Sequence, residues 1–294
     1  MSSGPAPKFS KDNQHFVPRF WIKRFAGSNG RILGRKRGEA RAFQVAAGDV
    51  MTGDWTYTLF DGWWRPADKL EDALSVFEGE AATVMVAVDD VSSTLSPLLK
   101  EKLSEVIAVS GCRLPWVMRR GHQRMKELAA AFASIVKYKD DREFIQDIRT
   151  RFGVDLLEAD CSSLRSRPDG ALEVTARALN EISPQNPVFA EQEVLQGAGP
   201  IATILRTMDF TLLDAPAESL VLSDTPMPDF EIATGFLLPL SHRLMLSAQP
   251  AAGPSAIFGR RAATSAEVEE SNRFQFDSLL DIVVGPDKDI LERL

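Results

Sequence analysis

The sequence predicts an α+β protein. It expects a small, mostly antiparallel sheet formed by N-terminal and late strands, a large helical block inserted between them, and a C-terminal helix. Three observations carry this expectation. Strand-like stretches punctuated by Gly, Pro and Asp occupy the chain before residue 68 and return after residue 208. Between them, apolar residues recur at spacings of three and four, as on one face of a helix. The resulting order of strands, helices, strands and helix is not the strand–helix alternation of a doubly wound parallel sheet. The expected organisation is a loose N-terminus over 1–12 and one α+β domain over 13–294, with its helical insertion at about 68–206.

The elements follow in order. In "NQHFVPRFWIKRF", Pro18 removes a backbone donor and holds Val17 extended, so the stretch reads as a strand, a kink, then a short strand or helical turn. "RILGRKRG" adds Arg31, Arg35, Lys36 and Arg37. "GDWTYTLFDGWWRP" reads as a strand, a turn at Asp61–Gly62 and an aromatic patch, with Trp55, Trp63 and Trp64 as core or rim anchors. Leu70, Leu74, Phe77, Ala81, Val84, Met85 and Val88 place a helix over about 68–89, capped by Asp68 with Glu71 three residues on.

A second helix starts in "SPLLKEKLSEVIAVS", with Ser96 as cap and Pro97 at its first position. "LPWVMRRGHQRMKELAAAFASIVKY" predicts a third, with His122 facing inward, and "DDREFIQDIRTRFG" a fourth that stops near Gly153. "DCSSLRSRPDG", over 160–170, reads as a loop. Further helices are expected over about 171–182 and 188–206. "DFTLLDAPAESLVLSDTP" and "GFLLPLSHRLMLS" each read as a pair of short strands, and "SAEVEESNRFQFDSLLDIVVG" as the terminal helix.

Composition excludes several classes of function. The formal net charge of −7 gives no help to a nonspecific polyanion binder, although a local basic groove is compatible with it. Two cysteines make neither a disulfide framework nor a thiolate metal site, and they fit a reducing compartment. The start of the chain lacks the apolar core of a secretion signal, and no stretch has the length of a membrane span, so the expected location is cytoplasmic with no membrane partner. With three histidines and neither an H-x-x-x-H nor a C-x-x-C pair, no metal site is expected. "GRILGRKRG" lacks the GK[ST] ending of a phosphate loop, so no nucleotide cofactor is expected; a divalent cation is compatible with the acidic residues. A G-x-S-x-G nucleophile elbow is absent, and Ser241 and His242, being adjacent, point to opposite faces of a strand.

The remaining polar residues supply the candidates. His15 has the one side chain that titrates near neutrality, so it suits proton transfer or a phosphate contact. Asp224 follows the strand "LVL", where a carboxylate can accept backbone amides, hold a cation or orient His15. Arg19 and Arg24 offer forked donors for an anion, and Asn13, Gln14, Ser241 and Asn272 are the accompanying ligand-binding candidates. Each also has an architectural reading: His15 tying its strand to another segment, Asp224 in turn chemistry, the arginines on a solvated hairpin, Asn272 buttressing a strand.

These segments also resemble a known family. "NQHFVPRFWIKRF", "KLEDALSVFEGEAA", "LVLSDTPM", "LLPLSHRLML" and "VEESNRFQFDSLLDIVV" are together similar to the bacterial DUF4238 family of uncharacterised proteins. The matching positions are His15, Pro18, Phe25, Glu71, Ser223, Asp224, Pro226, Pro239, Leu240, Ser241 and Asn272. The chain departs at Thr225, where members often carry Asn, and at Trp21, where Tyr or Phe is usual. The resemblance implies a shared fold and supplies no activity.

The expected function is that of a binding or regulatory protein with a polar groove for an anionic ligand, nucleic acid included. The alternative is a nucleic-acid-processing phosphodiesterase or nuclease using His15 and Asp224. No motif dictates a reaction, so whether the protein is an enzyme is left to geometry. An enzyme requires the two residues close together in an open basic cleft. A His15 bonded only to backbone argues for binding.

Overall fold

The computed structural model describes residues 13–54, 59–60, 66–67, 69–117, 127, 130–152, 156–166, 198–228, 231–253 and 255–293. The fold is α+β. N-terminal and late strands share one four-stranded antiparallel sheet, in the order β3 (Phe43–Val45), β2 (Ile32–Lys36), β12 (Ile282–Gly285), β8 (Leu222–Ser223). A second four-stranded sheet is made wholly of late strands, in the order β11 (Phe258–Ala262), β7 (Asp209–Asp214), β10 (Leu244–Gln249), β9 (Phe236–Ser241). Its β11–β7 pairing is parallel and the others antiparallel. Two short ribbons pair β1 (Asn13–His15) with β4 (Thr52–Asp54), and β5 (Leu59–Phe60) with β6 (Pro66–Ala67).

Between the ribbons and the second sheet run α2 (Lys69–Asp89), α3 (Pro97–Cys112), α4 (Asp141–Phe152), α5 (Glu158–Ser166) and α6 (Ala198–Thr207), preceded near the N-terminus by α1 (Arg19–Lys23). The start of α3 follows the sequence expectation: Ser96 Oγ accepts from the Leu99 amide and Pro97 takes the first helical position. The main apolar core joins α1, α2, α3 and α6 to both sheets, with Trp21, Phe25, Met85, Ile107 and Phe210 fully buried. Burial of side chains of this size stabilises by roughly 1.5–3 kcal/mol each relative to exposure.

Helix α1 explains its own sequence. Trp21, Ile22 and Phe25 are buried, while β9 is an edge strand whose outward carbonyls need partners. Trp21 Nε1 donates to the Pro239 carbonyl at 3.1 Å and Arg24 Nε to the Leu240 carbonyl at 2.7 Å. Pro239 itself sits on this edge strand, where its missing N–H is tolerated.

Two expectations are corrected. The stretch 160–170 was expected as a loop, yet Glu158–Ser166 is helical. Cys161 and Leu164 reach a second apolar cluster with Ile135, Phe144 and Ile148, and Arg165 bonds Asp141 and the carbonyls of Ile135 and Tyr138. Tertiary packing overrides the weak local propensity. The terminal helix was expected to run through "IVVG", but α7 (Ser265–Ser278) stops before it, β12 is an interior strand, and α8 (Lys288–Arg293) follows. Ile282, Val283 and Val284 are buried, as a strand covered on both faces requires.

His122, Trp55, Trp63, Trp64, Asp61, Gly62, Asp68, the side chains of Asn13 and Glu71, and the helices expected over 171–182 and before Ala198 lie outside the described residues.

Candidate functional site

A groove of about 420 Å³ lies between the segment 43–52 and the start of β12. Its polar lining comprises Lys36, Gln44, Asp49, Thr52 and Asp281, and its apolar floor includes Val50, Met51 and Ile282. Gly34 sets the spacing beneath it: a Cβ there would lie 3.0 Å from both Ile282 Cδ1 and Val45 Cγ1. Met51 has a φ of +57°, a left-handed conformation that costs a non-glycine residue about 1–3 kcal/mol and recurs at ligand-holding turns.

His15 stands behind one wall. It is half-buried, opposite Thr52 in the β1–β4 ribbon, and its Nε2 donates to the Ala47 carbonyl at 2.9 Å. The next amide, of Phe16, donates to the Met51 carbonyl at 3.1 Å. One strand thus holds both ends of the 47–51 turn. Burial pushes the imidazole below its usual pKa, opposed in part by the Ala47 carbonyl and by Glu78. The His15 carbonyl accepts from Arg113 Nη2 at 2.5 Å, and Arg113 Nη1 reaches Glu78 at 2.6 Å, which ties the middle of α2 and the C-terminal end of α3 to β1.

Asp224 stands behind the other wall. It is 2 % exposed, and its carboxylate accepts from the amides of Leu280 at 2.8 Å, Asp281 at 2.7 Å and Ile282 at 3.2 Å. Burial pushes the carboxyl up, while these amides pull it down. By engaging three consecutive N–H groups just after α7, Asp224 fixes the chain reversal that begins β12.

No hydrogen bond or ion pair joins His15 to Asp224; each braces a different wall. The other predicted residues are placed as follows. Gln14 is buried in β1, where it pairs with Gly53, and Asn13 pairs with Asp54. Arg19 is exposed, its guanidinium 3.8 Å from where a Cβ on Gly48 would stand. Arg24 grips Asp89 with two bonds of 2.7 Å, and its carbonyl receives the His242 amide at 3.0 Å and Nδ1 at 2.8 Å. Ser241 Oγ accepts from the Arg243 amide at 3.2 Å. Asn272 accepts from the Val221 amide at 3.2 Å and donates to the Ser219 carbonyl at 2.7 Å. Asn272, Ser241 and Arg24 therefore stand apart from the groove and join segments of the fold.

Sequence reasoning missed Asp49 and Asp281 in the groove, and Gln275, three residues after Asn272 on α7. A second buried amide at helical spacing from the first was the available signal for Gln275. Among the described residues, no group of three His, Cys, Asp or Glu side chains is arranged to hold a metal ion, and no helix is long and apolar enough to cross a membrane.

The chain is thus an α+β protein whose opening strand and late Asp224 brace a polar groove. It belongs to the DUF4238 family, described as proteins of unknown function, whose profile matches residues 13–289. No curated protein and no solved structure matches the chain.

Proposed function

We propose that this is a binding protein that takes an anionic ligand in the groove between the segment 43–52 and β12. The observation that carries the reading is the commitment of His15 and Asp224 to backbone groups behind the two walls, which takes these two residues out of acid–base service in the groove. Lys36 lines the groove, and the exposed Arg19 and Arg37 flank it; the Arg37 amide donates to the Asp281 carbonyl at 2.7 Å. Asp49 and Asp281 select for a ligand that carries hydrogen-bond donors beside its negative charge. His15 and Asp224 act as positioning residues. The same reading takes residues 13–294 as one domain, a reading supported by the apolar core that joins both sheets to α2, α3 and α6. It places the protein in the cytoplasm, where buried thiols such as Cys112 and Cys161 stay reduced.

Titration calorimetry with pyrophosphate and with a short oligothymidylate tests the proposal. At least one should bind, and Lys36→Ala should weaken it by about tenfold, the loss expected for a charge-assisted hydrogen bond. Neither the oligonucleotide nor a chromogenic phosphodiester should be cut. Hydrolysis that disappears in a folded His15→Ala variant would overturn the reading in favour of a nuclease, and the failure of both probes to bind would also overturn it.

A further inference from the structure

A second cavity, of about 440 Å³, lies where the start of α3, the end of α6 and the start of β11 meet. Leu95, Pro97 and Phe258 supply apolar walls, and the charged lining is Lys100, Arg206 and Glu101, the last paired with Arg206. Lys100 is unusual for a lysine in being 6 % exposed. Its Nζ donates to the Arg206 carbonyl at 3.0 Å and the Met208 carbonyl at 2.5 Å, and lies 5.2 Å from the centre of the Phe210 ring. An ammonium has three N–H donors, so these two bonds leave one.

No carboxylate among the described residues forms an ion pair with Lys100. Asp209, which acts on it through space, has its oxygens engaged by the amides of Ile257 at 2.7 Å and Ala252 at 3.1 Å. Arg206, the other cation of the cavity, is already paired with Glu101 at 3.3 Å and Glu105 at 2.9 Å. Lys100 therefore holds a buried charge bonded directly only to carbonyl oxygens and set beside a ring face, with Asp209 acting on it from a distance. Burial of a cation in that state is costly unless a counter-ion arrives.

We infer that this cavity is a binding site for a small monocarboxylate with an apolar tail, its carboxylate on the remaining Lys100 donor and its tail against Leu95, Pro97 and Phe258. A single spare donor suits one carboxylate better than a phosphate, whose oxygens call for several. The positive end of the α3 dipole, at Pro97 on the same cavity, adds to the preference for an anion.

The test uses the full chain with hexanoate as probe and hexanol and hexylamine as controls, followed by calorimetry. Hexanoate should bind, and both controls should bind at least about tenfold more weakly. Lys100→Met should weaken hexanoate by a similar factor of about ten or more, and Lys36→Ala should leave it unchanged. Ala256→Leu, which narrows the cavity and leaves the Lys100 bonds in place, should weaken it by about tenfold or more as well, and it decides the matter if Lys100→Met does not fold. Hexanol binding as tightly as hexanoate, hexanoate binding unaffected by these cavity variants, or no binding at about 10 mM would overturn the inference.

Discussion

Gln275 Oε1 accepts both the amide and the hydroxyl of Ser223, each at 2.9 Å, while its Nε2 donates to the Pro226 carbonyl at 3.1 Å. With Asn272 one turn earlier, this buried pair of amides fastens α7 along the segment 219–226, the segment that delivers Asp224 to the groove wall. Two side chains at helical spacing thus do for an irregular segment what a neighbouring strand would do for a regular one.

Gln275→Leu keeps the volume and removes all three bonds. The Ser223 amide and Pro226 carbonyl remain buried, so the expected loss of stability is about 2–4 kcal/mol. Ser223→Ala removes two weaker bonds, the hydroxyl's own to Gln275 and the one it accepts from the Thr225 amide at 3.3 Å, and should cost about 1–2 kcal/mol. Urea denaturation of the two variants checks the ranking, and equal costs would show that the Gln275 amide is not the clasp.

The Arg24–Asp89 pair is bidentate at 2.7 Å, but the Asp89 side chain is 47 % exposed, so solvent screens it. A double-mutant cycle of Arg24→Ala and Asp89→Ala should give a coupling of about 0–1 kcal/mol. Arg24→Ala alone should cost about 1–3 kcal/mol more, because it also strips the buried edge of β9 of the donor to the Leu240 carbonyl. A coupling larger than the single Arg24 cost would reverse this assignment.

His15 predicts a pH effect. Burial lowers its pKa from the ordinary 6.5 in the folded state, so on acidification the unfolded chain takes up the proton first. Stability contributed by neutral His15 is complete above 6.5 and declines as the pH falls through that value toward the lowered folded pKa. His15→Gln, which retains a side-chain donor for the Ala47 carbonyl, should show a flatter stability profile below pH 6.5. Denaturation midpoints measured from pH 7.5 to pH 5 would reveal it, and parallel profiles for the two proteins would refute it.

Much of the fold was legible because its signals are local. The four-residue spacing of Phe144, Ile148 and Phe152 makes one buried helical face wherever the helix packs, and Ser96–Pro97 is a helix start in any context. The hairpin of β9 and β10 is written in its two apolar runs and the turn between them. "IVVG" was ambiguous because a short apolar run suits a helix and an interior strand alike, and only the capture of the preceding amides by Asp224 decides for the strand.

The candidate site divides along the same line. The sequence by itself determined that His15 lies in an extended segment, that Asp224 follows one, and that the element order is α+β, from which followed the expectation, met by β2 and β12, of a sheet shared by N-terminal and late strands. Only the tertiary structure decided that His15 bonds Ala47, that Asp224 bonds residues 280–282, and that Asp49, Asp281 and Lys36 line the space between the walls. The reason is physical: helix and strand periodicity follow from backbone geometry residue by residue, whereas the partner of a buried polar group depends on which distant carbonyl or amide is left without one after the elements pack.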